Sequence, residues 1–301
     1  MPTTSAPPAR NAERMPIWIR SRLGDDPHYG GTQSAVAENR LHTVCEEARC
    51  PNRGECWSRG TATFLLLGDT CTRACGFCAV KTGRPEAPDE TEPARVAAAV
   101  AGMGLKFVVL TSVNRDDLRD GGASVFAATL EALRRQDPAC GVEFLTPDFR
   151  NCRDSALEQV ERTLAALPAG ARRDLVWGHN VETVPRLYRT ARKGGDYGRS
   201  LGLLEAAAKL PGVEAKSAVM LGLGETREEV LAVLNDLRQR GVMRVSLGQY
   251  LRPSLQNLPV QHYLHPDEFA AYERDARALG FAWVKAGPMV RSSYYAEEQQ
   301  G

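Results

Sequence analysis

The chain has 301 residues, enough for one large domain with appendages or two small ones, and its 43% hydrophobic residues can fill a sizeable core. Thirty-eight basic residues against 37 acidic ones leave a net charge of +1, which disfavours a polyanion such as nucleic acid as partner. No apolar run reaches the length of a membrane span, and eight cysteines in so long a chain do not make a secreted disulfide scaffold. A reducing compartment, most simply bacterial cytoplasm, is the expected setting.

Residues 1–14 are Pro-, Ala- and polar-rich with no apolar signal core, so they read as a disordered start. Glu13, Asp25 and Asp26 argue against a transit peptide. Pro16, Ile17, Trp18 and Ile19 read as an anchoring segment that opens an N-terminal extension over 15–60.

Beyond it, apolar runs alternate with helical patterns. Strands are predicted at 63–67, 107–111, 142–145, 174–177, 215–221, 244–247 and 281–285. Helices are predicted at 93–101, 123–136, 155–166, 200–209, 227–240 and 266–279. Thr226 with Glu229 makes a capping box, Gly241 a stop, and Pro266 with Asp267 and Glu268 a second clear start. Such alternation implies parallel strands joined by right-handed crossovers. About six βα units fall short of eight. The expected fold is therefore α/β, a partial (β/α)6-type barrel over 61–286, favoured over a complete barrel or a doubly wound sheet, with a tail at 287–301.

The strands end in polar segments: Gly68-Asp69-Thr70, Ser112 to Asp117, Thr146-Pro147-Asp148, Gly178 to Thr183, Gly222 to Thr226 and Gly248-Gln249-Tyr250. In barrel-type folds that edge carries ligand and catalytic groups, so six such segments converge on one mouth.

Six cysteines crowd one stretch in two triplets, Cys45, Cys50 and Cys56, then Cys71, Cys75 and Cys78, whereas Cys140 and Cys152 stand alone and read as packing residues. Soft thiolates at such spacing suit iron–sulfur clusters or zinc. The second triplet, C-T-R-A-C-G-F-C, follows the first long strand directly. Its C-x3-C-x2-C spacing, with Phe77 before the last cysteine, fits neither paired zinc motifs nor ferredoxin runs well. A triplet leaves one corner of a four-metal cluster for a ligand that is not cysteine. Zinc binding or plain electron transfer remains the bland alternative.

That spacing matches the radical S-adenosylmethionine enzymes. The first triplet, in CEEARCPN and GECW, the RSSY sequence at Arg291-Ser292-Ser293-Tyr294, and VVLTSVNRDDL, HNVETVPRLYR, MLGLGET and GQYLRPS together resemble the lipoyl synthases, from about Trp18 to Tyr294. The resemblance implies a [4Fe-4S] cluster on Cys71, Cys75 and Cys78 that binds S-adenosylmethionine through its fourth iron. It implies a second, auxiliary [4Fe-4S] cluster on Cys45, Cys50, Cys56 and a serine of RSSY, by position Ser293 rather than Ser292. The implied reaction inserts sulfur at C6 and C8 of an octanoyl chain on a carrier-protein lysine. The first cluster generates a 5′-deoxyadenosyl radical, and the second is consumed as sulfur donor.

Implied partners are octanoylated lipoyl-carrier domains (2-oxoacid dehydrogenase E2 subunits, the glycine cleavage H protein), an electron donor such as ferredoxin or flavodoxin, and an iron–sulfur carrier that rebuilds the spent cluster. The resemblance to the superfamily also implies that the backbone of Thr111, Ser112 and Val113 lies near the methionine amino group. Asn180, Glu182, Arg199 and Lys216 are candidates for the carboxylate or ribose, and the GLGET glycines for the adenine. His179 reads as a hydrogen-bonded loop histidine, and Arg291 as a group that positions the serine or offsets cluster charge. Arg186, Arg189, Arg192, Lys193 and Arg199, with Asp196 the one acid among them, suggest a docking face for an acidic carrier. The family commonly has histidine after RSSY, where this chain has Tyr295, so no role of that histidine transfers. A biotin synthase or methylthiotransferase would share the second triplet but lack the CEEARCPN and RSSY pair.

Overall fold

The computed structural model describes residues 15–19, 28–58, 62–294 and 296; the expected disordered start and Tyr295 lie outside them. The chain opens with α1 (His28–Glu38), β1 (His42–Thr43), α2 (Val44–Glu47) and α3 (Arg53–Ser58). There follow β2 (Thr63–Leu66), the two-residue strands β3 (Thr70–Cys71) and β4 (Lys81–Thr82), α4 (Glu92–Gly102), β5 (Phe107–Ser112), α5 (Ala123–Gln136), β6 (Gly141–Leu145), α6 (Arg153–Ala166) and β7 (Leu175–Gly178). After a 3-10 turn come α7 (Tyr188–Ala191), α8 (Tyr197–Ala207), β8 (Val213–Leu221), α9 (Arg227–Gln239), β9 (Arg244–Gln249), α10 (Pro266–Ala278) and β10 (Trp283–Gly287).

The main sheet runs β1-β2-β5-β6-β7-β8-β9-β10. Only the β1–β2 pairing is antiparallel; β2 and its successors pair in parallel. Strand order follows chain order without a reversal, so every right-handed crossover lays its helix on the same face. A doubly wound sheet would reverse direction and carry helices on both faces. Among the described residues β1 and β10 are edges that do not meet, so the barrel is partial, as the count of βα units implied.

The helix-facing side of the sheet is dry. Leu110, Phe144 and Trp177 pack with Phe126 and Leu130 of α5, and the Phe126–Phe144 and Phe144–Trp177 ring pairs meet edge to face at 5.0 and 6.0 Å. Val219, Leu221, Val245 and Leu247 pack with Leu234 and Leu237 of α9. Helix starts are well determined: Thr226 and Glu229 close the expected capping box on α9, and His265 with Glu268 closes another on α10.

Because side chains alternate along a strand, the residues between these face the concave side. There Phe107, Val109 and Val176 pack around Ala296 of the C-terminal segment, beside the buried polar pair Glu143 and Lys216. The N-terminal anchor expected at 16–19 is present. Ile19 is buried, and the Trp18 indole donates to the Leu264 carbonyl at 3.1 Å.

Candidate active site at the strand ends

The second cysteine triplet forms a loop whose two ends lie side by side, since Thr70 and Cys71 pair with Lys81 and Thr82, and Gly83 N–H donates to the Cys71 carbonyl. Segments distant in sequence hold it, together with its own backbone. Asn114, just past β5, donates its backbone N–H to Cys71 Sγ at 3.3 Å, and Arg73 does the same at 3.4 Å. Gly76 N–H donates to the Ala191 carbonyl at 2.8 Å, and its own carbonyl accepts from Leu258 N–H at 2.9 Å. The backbone approaches so closely that a Cβ on Gly76 would stand 2.9 Å from the Thr190 carbonyl oxygen and from Leu258 Cγ. Glycine is required there. Asn257 caps the loop by donating to the Cys78 carbonyl at 2.8 Å, and Phe77 packs with Tyr250 and Leu258.

Beneath the loop lies a charge network that sequence reasoning missed. Arg73, inside the triplet, donates two hydrogen bonds to Asp148 at 2.9 and 2.8 Å and two to Asp116 at 2.7 and 2.6 Å. Asp148 is fully buried and also accepts from Arg199 Nε at 2.8 Å. Burial alone would raise its carboxyl, but the hydrogen bonds and charge of Arg73, with Arg199 adding, outweigh burial and bring it to about 2. The only local hint was an arginine between cysteines and an aspartate ending a strand.

Next to the triplet, the HNVET segment after β7 bends onto β8. Glu182 N–H donates to Ala218 O, and Glu182 O accepts from Met220 N–H, at 3.0 and 2.8 Å. Glu182 adopts φ +68°, an unusual left-handed conformation for a side chain of its size. Burial raises its carboxyl, with Arg192 and Asn180 opposing. Burial likewise pushes the Cys75 thiol up to about 12, with Cys78, Glu182 and Cys71 adding and Arg192 opposing. Cys71, Cys75, Cys78, Asn180, Glu182 and Arg192 are thus within electrostatic reach of one another.

His179 behaves as expected. It is fully buried between the Thr146 carbonyl at 2.8 Å and Ser200 Oγ at 3.1 Å, and burial with the Arg192 charge lowers it to about 3, so it is neutral. Thr111 donates to the Leu145 carbonyl at 2.7 Å, and Val113 packs in the helix-facing core. Ser112 Oγ is buried with no partner among the described residues, a polar atom in want of a ligand at the strand end. Arg199 and Lys216 do not stand in this group. Arg199 is occupied by Asp148 and the Gly194 carbonyl, and Lys216 lies inside the concavity on Glu143. At Gly222, φ +102°, a side chain would run into Gln249 and the His262 carbonyl, so the fold itself requires this glycine.

Cys45 and Cys56 of the first triplet sit on α2 and α3, and Cys50 lies between the two helices. Arg49 at φ +51° turns the chain between them, Cys50 N–H donates to Cys45 O at 3.1 Å, and Cys56 N–H to Asn52 O at 2.9 Å. Burial and Cys50 raise the Cys45 thiol to about 11, opposed by the Thr63 backbone and the fully buried Trp57. The C-terminal segment comes to the same place: Asn52 donates to Met289 O at 2.7 Å, Tyr294 OH to Glu55 Oε1 at 3.0 Å, and the Cys50 sulfur bears on the Arg291 guanidinium.

None of the eight cysteines is in a disulfide, and Cys140 is a buried core residue. Among the described residues no three Cys, His, Asp or Glu side chains are drawn tightly enough to clasp an ion as they stand. The donor sets nevertheless fit iron–sulfur clusters. Each is a thiol triplet without a fourth cysteine, and thiols that take a metal give up their protons to it.

Replacing Asp148 with Asn should leave two arginines facing a neutral group and cost about 3 kcal/mol. The measurement is the urea midpoint of the metal-free protein at unchanged slope; a midpoint equal to wild type would mean that Asp116 alone satisfies Arg73. A carboxyl lowered from 3.8 to about 2 stabilises the fold fully above pH 3.8 and loses that contribution as pH falls through 2. The wild-type advantage over Asp148→Asn should shrink across that window.

Residues 65–237 match the family model of the Radical SAM superfamily. The chain is 52% identical to the lipoyl synthase of Rubrobacter xylanophilus, covering 96% of this chain and 88% of that one. It is 53% identical to that of Methylococcus capsulatus, over 95% and 86% respectively. The fold resembles Streptococcus suis SuiB bound to precursor peptide SuiA, with TM-score 0.54, 13% identity and coverage of 78% of this chain and 50% of that one. It also resembles methylornithine synthase, with TM-score 0.53, 14% identity and coverage of 79% and 76%. With about half of its residues identical to these lipoyl synthases over nearly its whole length, the chain belongs to the lipoyl synthase family of the radical SAM superfamily.

Proposed function

We propose that this protein makes lipoyl groups by inserting two sulfur atoms, at C6 and C8, into an octanoyl chain carried on a lysine of a lipoyl-carrier domain. Support comes chiefly from the pairing of an ordered thiol loop at the strand ends with a second thiol triplet met by the C-terminal segment. Superfamily membership brings S-adenosylmethionine and a [4Fe-4S] cluster. Cys71, Cys75 and Cys78 would hold that cluster, and Cys45, Cys50, Cys56 and Ser293 a second one. Bound there, these groups supply a carbon radical able to take hydrogen from unactivated C–H bonds, and the sulfide that replaces it.

The side chains position and shield. Glu182 and Asn180, beside Cys75, are suited to the polar groups of the cofactor's methionine or ribose. Ser112 Oγ and the backbone from Thr111 to Val113 are suited to its amino group. Arg199 acts through Asp148, by holding the charge network beneath the loop. Serine is a harder ligand for iron than thiolate, which suits a cluster that must come apart. The open side of the sheet gives lateral access to a chain tethered to another protein.

A cleft of about 460 Å³ lies beside the cysteine loop, lined by Tyr188, Arg189, Arg192, Lys193 and Asp196 among others. Arg192 is not a docking residue, because it is turned inward onto Tyr188, Ser200 and His179. Arg186 is paired with Glu229. The exposed cations left for an acidic carrier are Arg189 and Lys193. A ferredoxin- or flavodoxin-type electron donor and an iron–sulfur carrier complete the proposed set of partners.

Anaerobic turnover on an octanoylated carrier peptide tests the reading, with 5′-deoxyadenosine, thiolated product and iron followed together. Cys75→Ala should abolish cofactor cleavage. Cys50→Ala should keep cleavage, lose about half of the iron and form no carbon–sulfur bond; lipoyl product from that variant would contradict the assignment. Reversing charge at Arg189 and Lys193 together should raise the KM for intact carrier about three- to tenfold and spare cleavage of the cofactor without carrier. Unchanged carrier kinetics would remove the docking face.

A further inference from the structure

The concave side of the sheet holds a fully buried ion pair that the reaction does not account for. Lys216 of β8 and Glu143 of β6 are 1% and 0% exposed, and Nζ stands 2.9 and 2.8 Å from the two carboxylate oxygens. An ammonium has three N–H donors. The third goes to the backbone carbonyl of Ser292, at 2.6 Å. The Trp283 ring of β10 lies 5.0 Å from Nζ and covers it.

A buried ion pair rarely stabilises a fold better than apolar residues of the same volume would. Apolar residues are what this face uses elsewhere, in Phe107, Val109 and Val176. The pair does what they cannot, which is to hold one carbonyl of a segment outside the sheet. That segment is fitted closely on either side. A Cβ on Gly248 would overlap the Val290 carbonyl oxygen, so β9 leaves a gap for the chain to pass. Two residues beyond Ser292, the Tyr294 hydroxyl donates to Glu55 on α3, the helix that carries Cys56. Ala296 is buried against β5 and β7.

We propose that Lys216 and Glu143 are positioning residues that anchor the C-terminal segment in the concavity, so that Ser293 is presented to Cys45, Cys50 and Cys56. Ser293 is held from both sides, by the Ser292 carbonyl on Lys216 and by the Tyr294 hydroxyl on Glu55. The anchor is a property of the metal-free chain; its consequence for a second cluster rests on the proposed function.

Hydrogen exchange on the metal-free, full-length protein tests the anchor. In wild type, the Tyr294 amide, which donates to the Arg291 carbonyl at 3.0 Å, should exchange within about tenfold of those in β6 and β8. Exchange at the speed of a loose terminus would overturn the anchor whatever the variants do. In the double variant Glu143→Leu with Lys216→Met, which removes both buried charges together, β6 and β8 should stay protected while residues 291–294 exchange at least ten times faster. Unchanged protection of 291–294 in that folded variant would also overturn it.

After anaerobic loading, the double variant should keep cofactor cleavage, lose about half of its iron and show the Mössbauer signature of the first cluster alone. Full iron despite a released tail would refute the placement of Ser293. If wild type itself formed no lipoyl product while the exchange results held, the functional reading would fail and the anchor would stand.

Discussion

The arrangement at the strand ends depends on one buried carboxylate, Asp148, clasped by two arginines. Arg73 reaches it from within the cysteine triplet, and Arg199 from the first turn of α8. Removing a carboxylate from water costs several kcal/mol, and a single cation seldom repays it without further hydrogen bonds. Here three charge-assisted bonds converge on Asp148, and Arg73 gives two further donors to Asp116. A loop that carries three thiols, has no helix and is flanked only by two-residue strands is thereby fixed to the ends of β5 and β6. Without that tie, the loop would be left to the backbone bonds at Cys71 Sγ and Gly76, the Asn257 cap and the packing of Phe77.

The two cysteine sets are held by different physics. The loop set is locked by charge and by close backbone approach to segments distant in sequence. The helical set is held by packing and by contacts between the two ends of the described chain. Trp57 is sealed in place by the Tyr29 ring at 5.3 Å and by Thr32, which donates to its carbonyl. Asn52 and Glu55 then meet the C-terminal segment. Segments joined by a few point contacts open locally more readily than strands inside a sheet. A ligand set that must release and regain a cluster benefits from the weaker attachment, and one that must persist through turnover benefits from the stronger.

The barrel was legible because its signal is local and repeated. Seven apolar runs and six amphipathic stretches appear where they were predicted, displaced by a few residues at most. β8 starts at Val213, two residues before its predicted start, because polar Glu214 breaks the apolar run. The short helices α1 to α3 were missed for equally local reasons. α1 carries Gly30 and Gly31 and has no apolar stripe, and α2 is a single turn. The cysteines were legible by spacing alone. Their supports were not, since Arg73 and Asp148 are 75 positions apart and Glu143 and Lys216 are 73 apart. No periodicity encodes such pairs. Glu143 did leave one trace, a lone acid inside the run Gly141–Leu145, where a residue buried on the sheet must find a cation.

An open sheet creates a difficulty that a closed barrel avoids, because its concave face is neither core nor ordinary surface. Filling it with apolar side chains would leave an exposed greasy trough of the kind that recruits other chains. Filling it with unpaired charge would be costly once any ligand or tail covered it. The solution here is mixed. Apolar residues of β5 and β7 are covered by Ala296, while charges on β6, β8 and β9 are matched in place, Lys216 by Glu143 and Arg244 by Glu214 at 2.7 Å. Matched charges can stay buried when the segment is seated and take water when it is not. That tolerance lets a barrel of this shape remain open on one side while keeping the strand ends, where the thiols stand, in fixed register.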